Sequence, residues 1–517
     1  MPQRVVRLVL LALILIILGS LKLSFHSGEG PYGLDGSNYF QVARNVAEGR
    51  GLVSSVSLYY AGFKKLPARS FQIYPLWPLI LGHTGRLIGM ARAADVLSKL
   101  FYFLSLVMAY FAANAIARGA IGRVAIIERW PSFDFGHVAV LLLGTNALFF
   151  MATSYPYTEG ISFALMFAAI AVLWAPPAPG FWRGAAAGAL AGLALLARTQ
   201  MILIGPAAVV CLALVSLRDR RLVRAAIGCA AAFGISFLYW YYGIYGVGGE
   251  RADVPGFSMW VNTPDWQSWL ADRWQGLLTS FDPWSPVSYF HLFGPAAALP
   301  LIAALAAVVW WVARSRRISF HLSAEQVPML VALSSGLMFL GILYNYHETF
   351  FLPWLFGYRH GLPYLLLILV AIPWLMTNSS RILRVVTVVC VLATIVLGVD
   401  GVVAFVTSPP PAGPKPSERQ LSAWLDHQPR AVTLASTNAQ TLATWNHANY
   451  HWLLCDDKPA QLRTLLAKLP IDYVVVYDAE RGCPMFKGLG DVLTPAASFG
   501  DGRDKIWLLR PKTPPRE

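Results

Sequence analysis

Eleven apolar runs separated by polar connections constrain this chain more than any other feature of its sequence. They cover 5–25, 95–117, 136–153, 159–175, 184–197, 199–217, 225–244, 294–312, 326–344, 361–376 and 385–405. Of the 517 residues 56% are hydrophobic and only 13% charged, a balance no soluble domain of this length carries. The expected fold is a polytopic α-helical membrane protein of about eleven spans.

The basic residues test that count. Arg118, Arg123 and Arg129, then Arg183, then Arg218, Arg220, Arg221 and Arg224, then Arg314, Arg316 and Arg317, then Arg381 and Arg384 fall in every second connection. The intervening connections, around Tyr155, Arg198, Asn345 and 245–293, are poor in basic residues or acidic. Basic connections stay in the cytoplasm, so the N-terminus with Arg4 and Arg7 is cytoplasmic and an odd number of spans leaves the C-terminus outside. The first outer loop, to about residue 94, is basic as well, but long loops obey the rule poorly. Topology therefore accounts for the net charge of +14, and no nucleic-acid partner is needed. No small-x-small cleavage pattern follows Leu21, so the first run reads as an uncleaved anchor, and no internal repeat suggests a transporter built from two halves.

After Pro409-Pro410-Pro411 the composition changes. The division expected is a membrane domain over 1–408, a linker over 409–416 and a small α/β domain outside the cytoplasm over 417–517. Helices are expected at 417–427 and 460–469, strands at 431–435, 473–477 and 506–509. It has no glycine-rich phosphate fingerprint. Cys211, Cys229 and Cys390 sit in apolar runs, whereas Cys455 and Cys483 lie in this domain, where a disulfide between them is compatible with an oxidising compartment.

The loop after the first run opens with Leu34-Asp35-Gly36-Ser37-Asn38-Tyr39-Phe40-Gln41-Val42-Ala43-Arg44-Asn45-Val46-Ala47-Glu48-Gly49-Arg50-Gly51. Tyr39, Val42, Ala43 and Val46 make one apolar stripe and the glycines stop the helix, which suits a helix lying on the membrane surface. Asp35 is placed to cap it. Pro75 and Pro78 make 73–90 a re-entrant or interfacial element.

An acid just after the first span, followed by Tyr39, Ala43, Asn45, Gly49 and Gly51 in a Tyr-x-x-x-Ala-x-Asn-x-x-x-Gly-x-Gly pattern, resembles the GT-C superfamily of membrane glycosyltransferases that use polyprenyl-phosphate-linked sugars. The resemblance is to the protein mannosyltransferase and lipid A aminoarabinose transferase kind, and it extends to Tyr74-Pro75-Leu76-Trp77-Pro78, Thr158-Glu159 and Tyr358-Arg359-His360-Gly361-Leu362-Pro363. It implies sugar transfer from a polyprenyl-phosphate donor to a glycan, lipid or protein hydroxyl, at the outer face of a bacterial inner membrane, with Asp35 as general base.

Other polar residues have two readings each. Glu159 is a carboxylate favoured by the start of its helix, or a second acid that orients the acceptor. Arg198 interrupts an apolar stretch too long for one span, after a helix of about 21 Å, shorter than a bilayer core of about 30 Å. It either snorkels or binds the carrier phosphate. Arg359 and His360 follow an aromatic belt and are an interfacial anchor or part of the phosphate site. His347 and Glu348, in an outer loop, are a solvated pair or touch substrate, as Tyr39 would. Lys64 and Lys65 meet lipid headgroups or hold the donor phosphate. Asp35 and Glu159 on separate segments are too sparse a donor set to imply an essential metal, and no cofactor is expected. A transporter of lipid-linked or small solutes is the alternative; it explains the spans and Arg198 but not the acid-led helix.

Overall fold

The computed structural model describes residues 3–25, 33–58, 66–69, 74–121, 134–174, 178–244, 281, 288–314, 322–349, 361–408, 413–456 and 458–512. Every expected apolar run is helical among them. In chain order the membrane helices are α1 (Gln3–Ser24), α2 (Gly33–Ala47), α3 (Leu76–Ile88), α4 (Met90–Ile121), α5 (Phe135–Gly144), α6 (Ala147–Ala152), α7 (Glu159–Val172), α8 (Phe181–Ala197), α9 (Ile204–Ser216), α10 (Leu222–Leu238), α11 (Tyr289–Phe293), α12 (Leu299–Arg314), α13 (Val327–Thr349), α14 (Leu365–Asn378) and α15 (Arg381–Thr407). Six described segments are long and apolar enough to cross a membrane, and five apolar helices are shorter, 10–17 residues. The chain is a multi-pass membrane protein.

Burial shows where the lipid lies. Leu11, Ile14 and Leu18 of α1 face the core while Leu13, Ile16 and Ile17 are 51–65% exposed, and α15 exposes Val385, Val389, Leu392 and Val396 along its length. Such continuous apolar faces mark contact with hydrocarbon.

One expectation about the first loop changes. The helix starts at Gly33, so Asp35 is in its first turn and not at its cap. Residues 76–88 form helix α3, which meets α4 at Gly89 (φ 88°), where the left-handed backbone breaks one helix from the next.

The C-terminal region carries α16 (Pro416–Asp426), α17 (Ala439–Trp445) and α18 (Pro459–Lys468) around a six-stranded sheet in the order β2-β5-β4-β6-β8-β7. The strands are β4 (Thr433–Ser436), β5 (Asn449–Trp452), β6 (Tyr473–Tyr477), β7 (Leu493–Phe499) and β8 (Ile506–Pro511), with β2 (Val56–Leu58) supplied by the first loop. β2 runs parallel to β5, with Val56 opposite Tyr450 and Leu58 opposite Trp452. The expected strands at 431–435, 473–477 and 506–509 are β4, β6 and β8; β5, β7 and α17 escaped the sequence reading, and β2 belongs to a sheet whose other strands lie near the far end of the chain. The loop also holds the two-residue pairing of β1 (Val53–Ser54) with β3 (Ala68–Arg69). Cys455 and Cys483 are disulfide-bonded.

Candidate functional site

Helix α2 is amphipathic in the way its sequence requires. Tyr39, Phe40, Val42 and Ala43 sink into an apolar cluster with Trp77 and Leu81 of α3, Ala93, Ala94 and Leu97 of α4, Ile161 of α7 and Ala197 of α8. Gly82 lets α3 come this close, since a Cβ there would run into the Ala43 carbonyl oxygen and the Val46 side chain. The opposite face is polar. Gln41 donates to Ser54 Oγ (2.8 Å) and accepts from the Ser55 amide (2.9 Å), while Asn45 donates to the Val53 carbonyl (2.8 Å) and Ser55 Oγ (3.0 Å). Gly49 and Gly51 both take φ 80°, a conformation side chains resist, and so turn the chain from the helix into β1 and β2. The pattern Asn45, Gly49, Gly51 is therefore a helix-to-strand turn.

Asp35 stands half-buried in the first turn of α2. Two residues on, Ser37 is fully buried, and its hydroxyl has no hydrogen-bond partner among the described residues. Tyr39 is core, its ring 6.3 Å from that of Tyr74.

Glu159 opens α7, as its place before an apolar run requires. The stretch that delivers it is gripped from three helices. Trp77 Nε1 donates to the Pro156 carbonyl (2.7 Å), Ser98 Oγ to the Tyr155 carbonyl (3.0 Å) and Ser105 Oγ to the Gly160 carbonyl (2.7 Å). Lys22 of α1, wholly buried, donates to the Phe150 carbonyl (2.7 Å), Thr153 Oγ1 (3.0 Å) and Ser154 Oγ (2.6 Å), with the Phe150 ring centroid 4.3 Å from its ammonium. The sequence reading passed over Lys22; a lone lysine in the last turn of an apolar helix was its signal.

Arg198 breaks the apolar stretch where expected, as the extended residue between α8 and a short 3₁₀ turn, Thr199–Leu203. Its guanidinium does not snorkel. It is 3% exposed and forms an ion pair with Glu159, while Nε donates to Gln200 Oε1 (2.8 Å) and Nη1 to Thr158 Oγ1 (3.3 Å). Thus two residues read separately in the sequence form one unit, flanked by Ile161 and Ala197 of the cluster that seats α2.

Lys64, Lys65, Arg359 and His360 lie outside the described residues. His347 and Glu348, expected in a loop, are on α13, which continues to Thr349; only their backbone is described. Among the described residues no group of His, Cys, Asp and Glu is arranged to hold a metal ion.

No protein-family model matches the chain, and no curated protein matches it. Solved structures do. The apo oligosaccharyltransferase of Archaeoglobus fulgidus superposes with a TM-score of 0.56 over 91% of this chain and 70% of its own, at 10% identity. The same organism's oligosaccharyltransferase AglB, in complex with an inhibitory peptide and a dolichol-phosphate, gives 0.55 over 91% and 70%, at 10% identity. The A. fulgidus enzyme tethered through a disulfide to an acceptor peptide containing the NVT sequon gives 0.53 over 97% and 76%, again at 10% identity. Identity this low speaks for fold alone: the chain shares the fold of these oligosaccharyltransferases.

Proposed function

We propose that this chain is a glycosyltransferase that moves a sugar from a polyprenyl-phosphate donor to an acceptor hydroxyl, at the outer face of a bacterial inner membrane. One observation carries the reading: the helix whose first turn holds Asp35 packs into the same cluster as Ile161 and Ala197, the neighbours of the Glu159–Arg198 pair. This packing supports reading the acid of α2 and the paired guanidinium as parts of one site. AglB, whose fold this chain shares, was captured with a dolichol-phosphate, which supports a lipid-phosphate donor here.

In this mechanism Asp35 takes the proton from the acceptor hydroxyl as its oxygen attacks the anomeric carbon. That carbon gains oxocarbenium character as its bond to the phosphate oxygen breaks, and the configuration inverts. Arg198 stabilises the charge arriving on the departing phosphate, its orientation fixed beforehand by Glu159 and Gln200. Arg359, Lys64 and Lys65 are the further cations proposed for the phosphate, and His347, Glu348 and His360 the further polar groups proposed for the substrates. The acceptor is a glycan, lipid or protein.

The test is transfer by the purified, reconstituted protein from polyprenyl-phosphate mannose and polyprenyl-phosphate glucose to envelope acceptors. Asp35→Asn is expected to lower the rate by about 100-fold or more, the usual contribution of a general base. A folded Asp35→Asn protein that transfers sugar at the parent rate removes Asp35 from the mechanism.

A further inference from the structure

Helix α2 is held from two sides, and the second hold joins it to the far end of the chain. Arg44, one turn before the end of α2, reaches the C-terminal end of α17. Its Nη2 donates to the Ala443 carbonyl (2.8 Å) and to the Asn446 carbonyl, and its Nη1 to the Thr444 carbonyl (3.2 Å). The last carbonyls of a helix lack partners within it, and the planar fork of a guanidinium answers several at once. The side chain is only 11% exposed, so these charge-assisted bonds are largely shielded from solvent. Around it, Glu48 Oε1 lies 3.1 Å from His447 Nδ1, and the Tyr450 amide donates to the Ser55 carbonyl (2.7 Å) where β2 joins β5. The turn made by Asn45, Gly49 and Gly51 directs the chain into that strand.

Arg44 and Asp35 are on the same helix, nine residues or about 14 Å apart along its axis. An α-helix transmits displacement along its length, so a contact that fixes one end constrains the other. We propose that Arg44 is a positioning residue for Asp35: by binding the end of α17 it makes the C-terminal domain part of the frame that sets where the acid stands. The role of the acid rests on the transferase reading above; the mechanical coupling does not.

The experiment uses the full chain reconstituted in nanodiscs, with Arg44→Met, Arg44→Lys and the cysteine pair Glu48→Cys/His447→Cys introduced into Arg44→Met. Two readouts are taken, amide hydrogen exchange along α2, and kcat and KM for transfer from polyprenyl-phosphate mannose and polyprenyl-phosphate glucose. Arg44→Met is expected to speed exchange in the second turn of α2, whose amides are the first with intrahelical acceptors, and to lower kcat at least 10-fold with KM for donor changed less than 2-fold. Arg44→Lys recovers part of both, and oxidising the cysteine pair recovers exchange and kcat together. Slow exchange and parental kcat in Arg44→Met overturn the proposal. So does a cross-linked protein whose exchange returns to the parent pattern while kcat does not. A parent protein that transfers no sugar, with the exchange effects as expected, supports the coupling and counts against the transferase reading alone.

Discussion

The guanidinium of Arg198 and the carboxylate of Glu159 form an ion pair closed off from solvent on both sides, with 4% and 1% of the two side chains exposed. Neither charge can be removed without stranding the other.

Single substitutions that break this pair, Arg198→Met or Glu159→Leu, are therefore expected to cost about 3–5 kcal/mol of stability. Glu159→Leu falls at the lower end, because Thr158 and Gln200 still accept from Arg198. The double variant Arg198→Met/Glu159→Leu loses much less than the sum, since no charge is left unpaired. Thermal unfolding of the four proteins in one detergent measures the cycle; additive losses refute the pairing.

The lysine in the last turn of α1 makes a different expectation. Thr153 and Ser154 already donate to the Phe149 and Phe150 carbonyls (both 2.7 Å), so removing the ammonium of Lys22 leaves no acceptor orphaned. Lys22→Met keeps the volume and is expected to change stability by less than about 1 kcal/mol, whereas Lys22→Ala opens a cavity and costs about 2–4 kcal/mol. Equal losses in both variants would show that the charge itself stabilises the protein.

Packing between α2 and α3 depends on the bare backbone of Gly82. Gly82→Val forces its side chain into Ala43 and Val46 and is expected to cost about 1–3 kcal/mol by overpacking. Because the strain falls on α2, the loss should accompany faster amide exchange there. Parental unfolding and exchange in Gly82→Val would contradict the close approach.

Acid should weaken the C-terminal domain through His451, which lies on central strand β5 and is 2% exposed. Burial lowers its pKa from 6.5 to about 4. Between those values the unfolded chain binds a proton that the folded domain refuses, so stability is complete above pH 6.5 and falls as pH drops towards 4. The difference of about 2.5 units corresponds to about 3 kcal/mol. His447, lowered by burial as well, acts in the same direction. Unfolding midpoints from pH 7 to pH 4, followed by tryptophan fluorescence, should slope more in the parent than in His451→Gln; equal slopes remove His451 as the source.

The sequence made the apolar helices legible because twenty or so apolar residues have few other fates, and it made α2 legible because Tyr39, Val42, Ala43 and Val46 recur at helical spacing. It also located Glu159 at a helix start and Arg198 at a break. It did not join them, since the pairing of two charges 39 residues apart is a product of how α7 and α8 pack. β2 was missed for a related reason: Val56-Ser57-Leu58 is too short for period-two patterning, and its partner Tyr450 is supplied almost four hundred residues later. Asp35 as an N-cap failed by three residues, because the helix starts at Gly33, before the acid.

That distant partnership has a consequence for biosynthesis. Leu58 leaves the ribosome 394 residues before Trp452, the residue it faces across the ladder (452 − 58). At about 5–20 residues per second, the strand waits roughly 20–80 s with one edge unsatisfied while most of the helices insert. Conversely, a fragment beginning near residue 413 is born with β5 as a naked border, ready to recruit whatever extended peptide it meets. The ladder of β2 closes only once β5 has been made.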